Sequence, residues 1–239
     1  SRVTTPMAHK KGPAHRSLIA WVTTPIMPPS QQPTVCWELF EEFLQLHGRA
    51  TPEEPLVIAV FPKTTDKPNI HISCTAGSIP KADIEALLQK KPGHSLGLVI
   101  NPALPKPEDW GSRPEHLSRG GSVRHWGASN SHIAEARLIW YEADGGLPKE
   151  EQLAAIKRAQ LPEPDFIVDT GGKSLHSYWR LDEPITPDEF RDLMQRLPQA
   201  VDALTPEMLG DKGIHNPCRV MRAPGGLHPS GKRCTIWRA

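Results

Sequence analysis

Glu142 and Asp144 stand two residues apart at the end of an apolar run, Arg137-Leu-Ile-Trp-Tyr-Glu-Ala-Asp144. If that run is a strand, its side chains alternate faces with a period of two, so both carboxylates point the same way. Two carboxylates a few ångströms apart repel each other, and a divalent cation removes the conflict by taking oxygen ligands from both. A lone Glu-x-Asp at a strand end is more often a solvated pair. Its meaning depends on what accompanies it.

Asp169-Thr-Gly-Gly-Lys-Ser-Leu-His176 invites comparison with a phosphate-binding P-loop, but that pattern needs a glycine at position 167, where this chain has Ile167. What remains is a strand, a Gly-Gly turn and a second strand. Ser174, His176 and Tyr178 share one face of that strand, and Leu175, Ser177 and Trp179 share the other. Gly171 and Gly172 allow close backbone approach, Lys173 supplies a point charge, and Ser174 and His176 can donate hydrogen bonds to phosphate oxygens. A single histidine is more commonly a satisfied structural residue.

From Lys212 to the end there is no acidic residue, while Lys212, Arg219, Arg222, Lys232, Arg233 and Arg238 are basic. Arg219 and Arg222 can reach one polyanion only if the chain bends, and Pro224-Gly-Gly226 offers the bend. Asp211 immediately precedes this stretch and is a candidate third carboxylate. His215, Cys218, His228 and Cys234 form an alternative zinc set, although no two of them have knuckle spacing. Arg113, Arg119 and Arg124, with His125, make a second basic stretch, suited to nucleic-acid phosphates or to a solvated surface.

These groups must be carried by 239 residues, one large domain or two small ones. Twenty-six prolines, about twice the usual share, predict long connections and short elements. Lys+Arg 28 against Asp+Glu 27 leaves a net charge of +1, so total charge points to neither a nucleic acid nor a membrane. Four cysteines without a CxxC pair, and no leading apolar segment, argue for reduced thiols in the cytoplasm rather than a secreted disulfide scaffold. No apolar run reaches the ~20 residues of a membrane span.

Residues 1–33 read as an extended, proline-rich arm. Thr34 is placed to cap a helix with Val35, Leu39, Phe40, Phe43 and Leu44 on one face, stopping at Gly48. Then come a strand over Leu56–Phe61, a helix from about Ser78 to Lys90 and a strand over Ser95–Asn101. Between Asn101 and Ala134 lies a long connection rich in Pro, Gly, Ser and Arg. Beyond it the order is a strand over Arg137–Asp144, a helix over Lys149–Gln160, a strand over Asp165–Asp169 and another through Leu175–Trp179. A helical stretch from Thr186 to about Leu204 follows, which Pro198 should kink or split, and a closing strand lies near Cys234–Trp237. Interspersed helices with strands close in sequence predict an α+β fold.

In order, the strand bearing Glu142 and Asp144, the Gly-Gly-Lys-Ser-Leu-His176 turn and strand, and Asp211 followed by Arg219-Val-Met-Arg-Ala-Pro-Gly225 resemble the archaeo-eukaryotic primase superfamily. The similarity is greatest to primase-polymerase domains of plasmid and phage-type replication proteins. It covers about residues 95–238. The resemblance implies an RRM-like catalytic core, about 134–239, with a smaller N-terminal αβ part, about 34–101. It implies that Glu142, Asp144 and Asp211 hold two Mg²⁺ or Mn²⁺ ions, Glu142 replacing the family's usual first Asp and so lengthening one ligand. Lys173, Ser174, His176 and Arg222 would contact the triphosphate of an NTP or dNTP. Arg113, Arg119, Arg124, Arg219 and Lys232 would track a single-stranded DNA template, with a helicase fused or associated. A DNA-binding initiator module without catalysis is the competing expectation. A relaxase is disfavoured, because Tyr141 and Tyr178 are the only tyrosines and no His-hydrophobe-His metal motif is present.

Overall fold

The computed structural model describes residues 34–62, 69–106 and 126–238. The expected N-terminal arm and Arg113, Arg119, Arg124 and His125 lie outside the described residues. The first helix, α1 (Trp37–Leu46), buries Phe40, Phe43 and Leu44. Its N-cap is Cys36 rather than Thr34, held by a backbone hydrogen bond from Cys36 N–H to the Gly225 carbonyl at 2.9 Å. Gly48 lies just past its end with φ +72°, a conformation that glycine adopts without steric cost.

Strand β1 (Pro55–Phe61) pairs antiparallel with β2 (Ile70–Thr75) on one side and with β3 (Ser95–Val99) on the other. Between them α2 (Lys81–Lys90) starts three residues later than its pattern suggests. Pro80 disfavours the helical conformation in the residue before it, so the helix begins only after the ring. Strand β2 was not expected from the sequence, since its alternation of Ile, His and Ser is short and its side chains are only partly covered.

The second half holds β4 (Ala136–Glu142), α3 (Lys149–Arg158), β5 (Phe166–Asp169), β6 (Leu175–Ile185) and α4 (Pro187–Leu204). Thr186 and Glu189 form a reciprocal capping box at the start of α4, with Pro187 at the first helical position, where its missing N–H costs nothing. Pro198 does not split α4. Phe190, Met194, Pro198 and Val201 form one buried face across the proline, and burial of both halves holds the helix together despite the lost backbone bond.

The sheet order β4-β6-β5, antiparallel throughout, is the heart of a β-α-β-β-α-β sheet. Its remaining strand is reduced to a short antiparallel bridge beside β4. After α4 the chain returns so that Ala143 bridges Gly210, Asp144 N–H donates to the Leu209 carbonyl at 3.1 Å and Asp211 N–H to the Glu142 carbonyl at 3.0 Å. The core therefore has the RRM-like order expected from the sequence.

The chain then crosses over. Strand β7 (Val220–Arg222) joins the first sheet beside β3, pairing Arg222 with Gly97, and β8 (Thr235–Ile236) returns to the second sheet beside β5. The two sheets are thus β2-β1-β3-β7 and β4-β6-β5-β8. One apolar cluster spans both, running from Ile58, Leu96 and Leu98 through Phe40 and Phe43 to Trp140, Tyr178 and Phe190. No helix among the described residues is long and apolar enough to cross a membrane.

Candidate active site

Glu142 ends β4 directly across from His176 on β6. Its carboxylate lies 3.2 Å from His176 Nε2 and its side chain is 20% exposed. Burial alone would raise this carboxyl, but His176, with the more distant Arg219 and Arg222, outweighs it and lowers the pKa to about 2. Glu142 is therefore ionised at neutral pH. Asp144, past the strand end, is 57% exposed, and Lys173 Nζ sits 2.8 Å from both its carboxylate and its carbonyl oxygen. Both acids face the same cleft, as their spacing of two requires.

The turn that carries Lys173 is pinned from all sides. Asp169 Oδ1 accepts from Gly171 N–H at 2.8 Å and from Lys149 Nζ at 2.6 Å, while the Thr170 hydroxyl donates to the Ser174 carbonyl at 2.8 Å. Buried Gln152 on α3 completes the brace: its Nε2 donates to the carbonyls of Leu147 and Lys173, and its Oε1 accepts from Leu175 N–H at 2.9 Å. Sequence reasoning passed over Gln152. The available signal was a polar residue on the same helix face as Ala155 and Ile156.

The polar face expected for β6 ends sooner than the alternation suggested. Ser174 and His176 line the cleft, but Tyr178 is fully buried, with its ring stacked on Phe166 at 4.7 Å. The role of the two glycines also differs. A Cβ on Gly171 would stand 2.8 Å from the Lys232 carbonyl and one on Gly172 would stand 2.8 Å from His228 Nε2. Their missing side chains admit the 228–233 turn of the protein itself.

The opposite wall comes from β7 and β1. Arg222 donates to the Ser95 hydroxyl, and its guanidinium stands over the Phe61 ring, 5.0 Å from the centroid. Gly97 beneath them has no room for a side chain: a Cβ would meet Val220 at 2.6 Å and Phe61 at 2.7 Å. The sequence alone shows Phe61 only as the end of an apolar strand. The cleft, about 390 Å³, is lined by Glu142, Asp144, Lys173, Ser174, His176, Arg219 and Arg222, together with Phe61, Thr170, Gly172, Val220, Met221 and His228.

Asp211 and Lys232 are not among the described residues that line it. Asp211 is held next to β4 by its backbone, and its carboxylate pairs with Arg219 at 3.0 Å, placing the arginine between the acid and the cleft. Each of the three carboxylates thus has a cationic or hydrogen-bonding partner: Glu142 with His176, Asp144 with Lys173, Asp211 with Arg219. Among the described residues no three His, Cys, Asp or Glu side chains converge as a metal-holding group. The alternative zinc set does not assemble either, because Cys234 is buried in the apolar core and His215 Nδ1 lies against the Lys212 carbonyl. The basic C-terminal stretch is also dispersed, with Arg238 paired to Glu42 at 2.6 Å and Arg233 donating to the Gly225 carbonyl.

No protein-family model matches this sequence, and no curated protein matches it. Among solved structures the chain is similar to the AEP domain of the cyanophage S-2L primase-polymerase, with a TM-score of 0.62 and 23% identity over 87% of this chain and 92% of that one. Lesser similarities link it to the polymerase domain of Mycobacterium tuberculosis ligase D in complex with DNA, with a TM-score of 0.48 and 16% identity over 84% of this chain and 79% of that one. Primase RepB′ follows at a TM-score of 0.45 and 15% identity, over 82% and 56%. The chain has the α+β fold of the archaeo-eukaryotic primase-polymerase domain.

Proposed function

We propose that this chain is a DNA-templated nucleotidyltransferase, a primase-polymerase that makes and extends primers in replication of a plasmid, phage or other mobile element. One observation carries the reading. The cleft sets two ionisable carboxylates, Glu142 and Asp144, against a wall of phosphate-binding donors, Lys173, Ser174, His176 and Arg222, within this fold. Hard carboxylate oxygens at one strand end suit Mg²⁺ or Mn²⁺. Glu142 and Asp144 would hold two such ions, joined by Asp211 once Arg219 moves to a phosphate of the template. Bound there, the ions would supply activation of the primer 3′-hydroxyl and neutralisation of the leaving pyrophosphate.

The chain's own groups do the rest. Lys173 exchanges Asp144, and His176 Nε2 exchanges Glu142, for the triphosphate, and Ser174 and Arg222 also donate to its oxygens, so the reacting phosphorus is held beside the two acids. Arg219 and Lys232, with Arg113, Arg119 and Arg124, contact the single-stranded DNA template, and a fused or associated helicase would expose that strand.

Labelled nucleotides, Mn²⁺ and single-stranded DNA, unprimed and pre-primed, test the reading. Template-dependent products on both are expected. Extension of the primed strand alone would remove autonomous priming and keep the polymerase. Silence on both would favour a binding module, for which the existing pairing of all three carboxylates is the supporting observation.

A further inference from the structure

His228, which has no other candidate zinc ligand at knuckle spacing, lines the cleft beside Gly172, Lys173 and Ser174. We propose that His228 is a phosphate-binding residue, its Nε2–H donating to the nucleotide's triphosphate from above Gly172. The inference rests on the nucleotidyltransferase reading of the cleft and adds a donor to it.

Three features point this way. The first is the tautomer. Ser230 N–H donates to His228 Nδ1 at 3.0 Å, and the Ser230 hydroxyl lies 2.8 Å from the same nitrogen. A nitrogen that accepts a backbone N–H carries no proton, so in the neutral ring the proton sits on Nε2 and that atom is a donor.

The second is placement. A Cβ built on Gly172 would stand 2.8 Å from Nε2, 3.2 Å from Cε1 and 3.3 Å from Cδ2, so the imidazole lies face-on over the glycine that precedes Lys173 and Ser174, with Nε2 nearest it and the Nε2–H directed along the ring plane rather than into the glycine. Any side chain at position 172 would push the ring away. Gly172 has therefore a purpose beyond the turn, which is to let this ring lie against the phosphate-binding segment.

The third is rigidity. Leu227 bridges Arg233, His228 N–H donates to the Lys232 carbonyl at 2.7 Å and Gly231 N–H to the His228 carbonyl at 2.8 Å, closing a tight turn. The Ser230 hydroxyl then bonds the Gly171 carbonyl at 3.1 Å, fastening this turn onto the Gly-Gly turn. A donor fixed in one tautomer on a braced turn loses little entropy when it meets its ligand. Its neighbours are donors too, and a triphosphate offers enough acceptor oxygens for all of them.

Calorimetric titration with a non-hydrolysable deoxynucleoside triphosphate and Mn²⁺ tests this on the wild-type chain and on His228→Ala, His228→Gln, Gly172→Ala and the Gly172→Ala/His228→Ala pair. His228→Ala is expected to bind about tenfold more weakly, the loss of one charge-assisted hydrogen bond. His228→Gln, whose amide nitrogen reaches nearly as far as Nε2, should regain most of that loss. Gly172→Ala should weaken binding in the wild-type background and add nothing once His228 is gone. Thermal melting of each variant reports the fold. Equal affinity for wild type and His228→Ala, no recovery with glutamine, or full additivity of the two substitutions each overturns the assignment while leaving the cleft a nucleotide site. A wild-type chain that binds no triphosphate overturns the nucleotide site and this donor together.

Discussion

The two sheets contribute opposite chemistry to one cleft. The second sheet and its turns bring both acids, Glu142 and Asp144, with Lys173 and His176 already paired to them and Ser174 beside them in the cleft. The first sheet brings no acid to the cleft. It supplies Arg222 on β7 and Phe61 at the end of β1, stacked on each other over a glycine too crowded for a methyl group. Acids and their immediate counter-ions come from two adjacent strands of one sheet and the turns at their ends, where strand register sets them. The far cation wall comes from β7, which the chain reaches only by crossing from the second sheet to the first, where only the tertiary fold sets it.

Removing an acid should have the largest effect. Asp144→Asn keeps the side-chain shape at an exposed position, so nucleotide incorporation on a primed template is expected to fall at least about a hundredfold with no change in melting temperature. Near-wild-type incorporation by the folded variant would remove Asp144 from the chemistry.

Gly97→Ala strikes the other sheet through packing alone. The new methyl would meet Val220 at 2.6 Å, Phe61 at 2.7 Å and the Met221 carbonyl at 3.0 Å. Overpacking of this kind costs about 1–3 kcal/mol, to be read from the urea midpoint. An unchanged midpoint would mean that β7 yields easily and that Arg222 is not rigidly held.

Arg222→Lys keeps the charge but loses the planar fork that lies on Phe61 and reaches Ser95. Triphosphate affinity should drop about tenfold, with incorporation recovering at high nucleotide concentration. A change in maximal rate at unchanged affinity would place Arg222 elsewhere in the reaction.

Tyr141→Phe should have the smallest effect. The Tyr141 hydroxyl donates to Asp202 Oδ1 at 2.8 Å, which also accepts Gly210 N–H at 2.9 Å, so the pair latches the short bridge beside β4 that positions Asp211. Loss of one hydrogen bond is expected to cost about 1 kcal/mol of stability by denaturant titration. A drop in incorporation larger than that loss of stability explains would show that Asp211 is held in place through this latch.

The parts legible in the sequence were those with local causes. Period-two alternation placed Glu142 and Asp144 on one face, and the Gly-Gly-Lys-Ser segment announced a turn between strands. The fate of Tyr178 was not legible, because alternation tells which residues share a face and not where the apolar core begins to cover it. Pro198 misled for a related reason: its local cost is fixed, while the burial of Phe190, Met194 and Val201 on either side is a tertiary gain. The β7 crossover and the brace by Gln152 depend on pairing with residues distant in the chain, while β2 takes its order from pairing with the neighbouring β1, which its short alternation does not announce.

The sequence by itself determined the α+β composition, the order of most elements and the residue types able to bind a cation and a phosphate, since these follow from nearest-neighbour sterics and side-chain chemistry. Tertiary structure alone decided who meets whom. It placed Arg219 between Asp211 and the cleft, set Arg222 on Phe61, and gave the space at Gly171 and Gly172 to the turn bearing His228. The Arg222–Phe61 and His228–Gly172 meetings join residues tens of positions apart or more, and no local rule specifies which distant strands will pair.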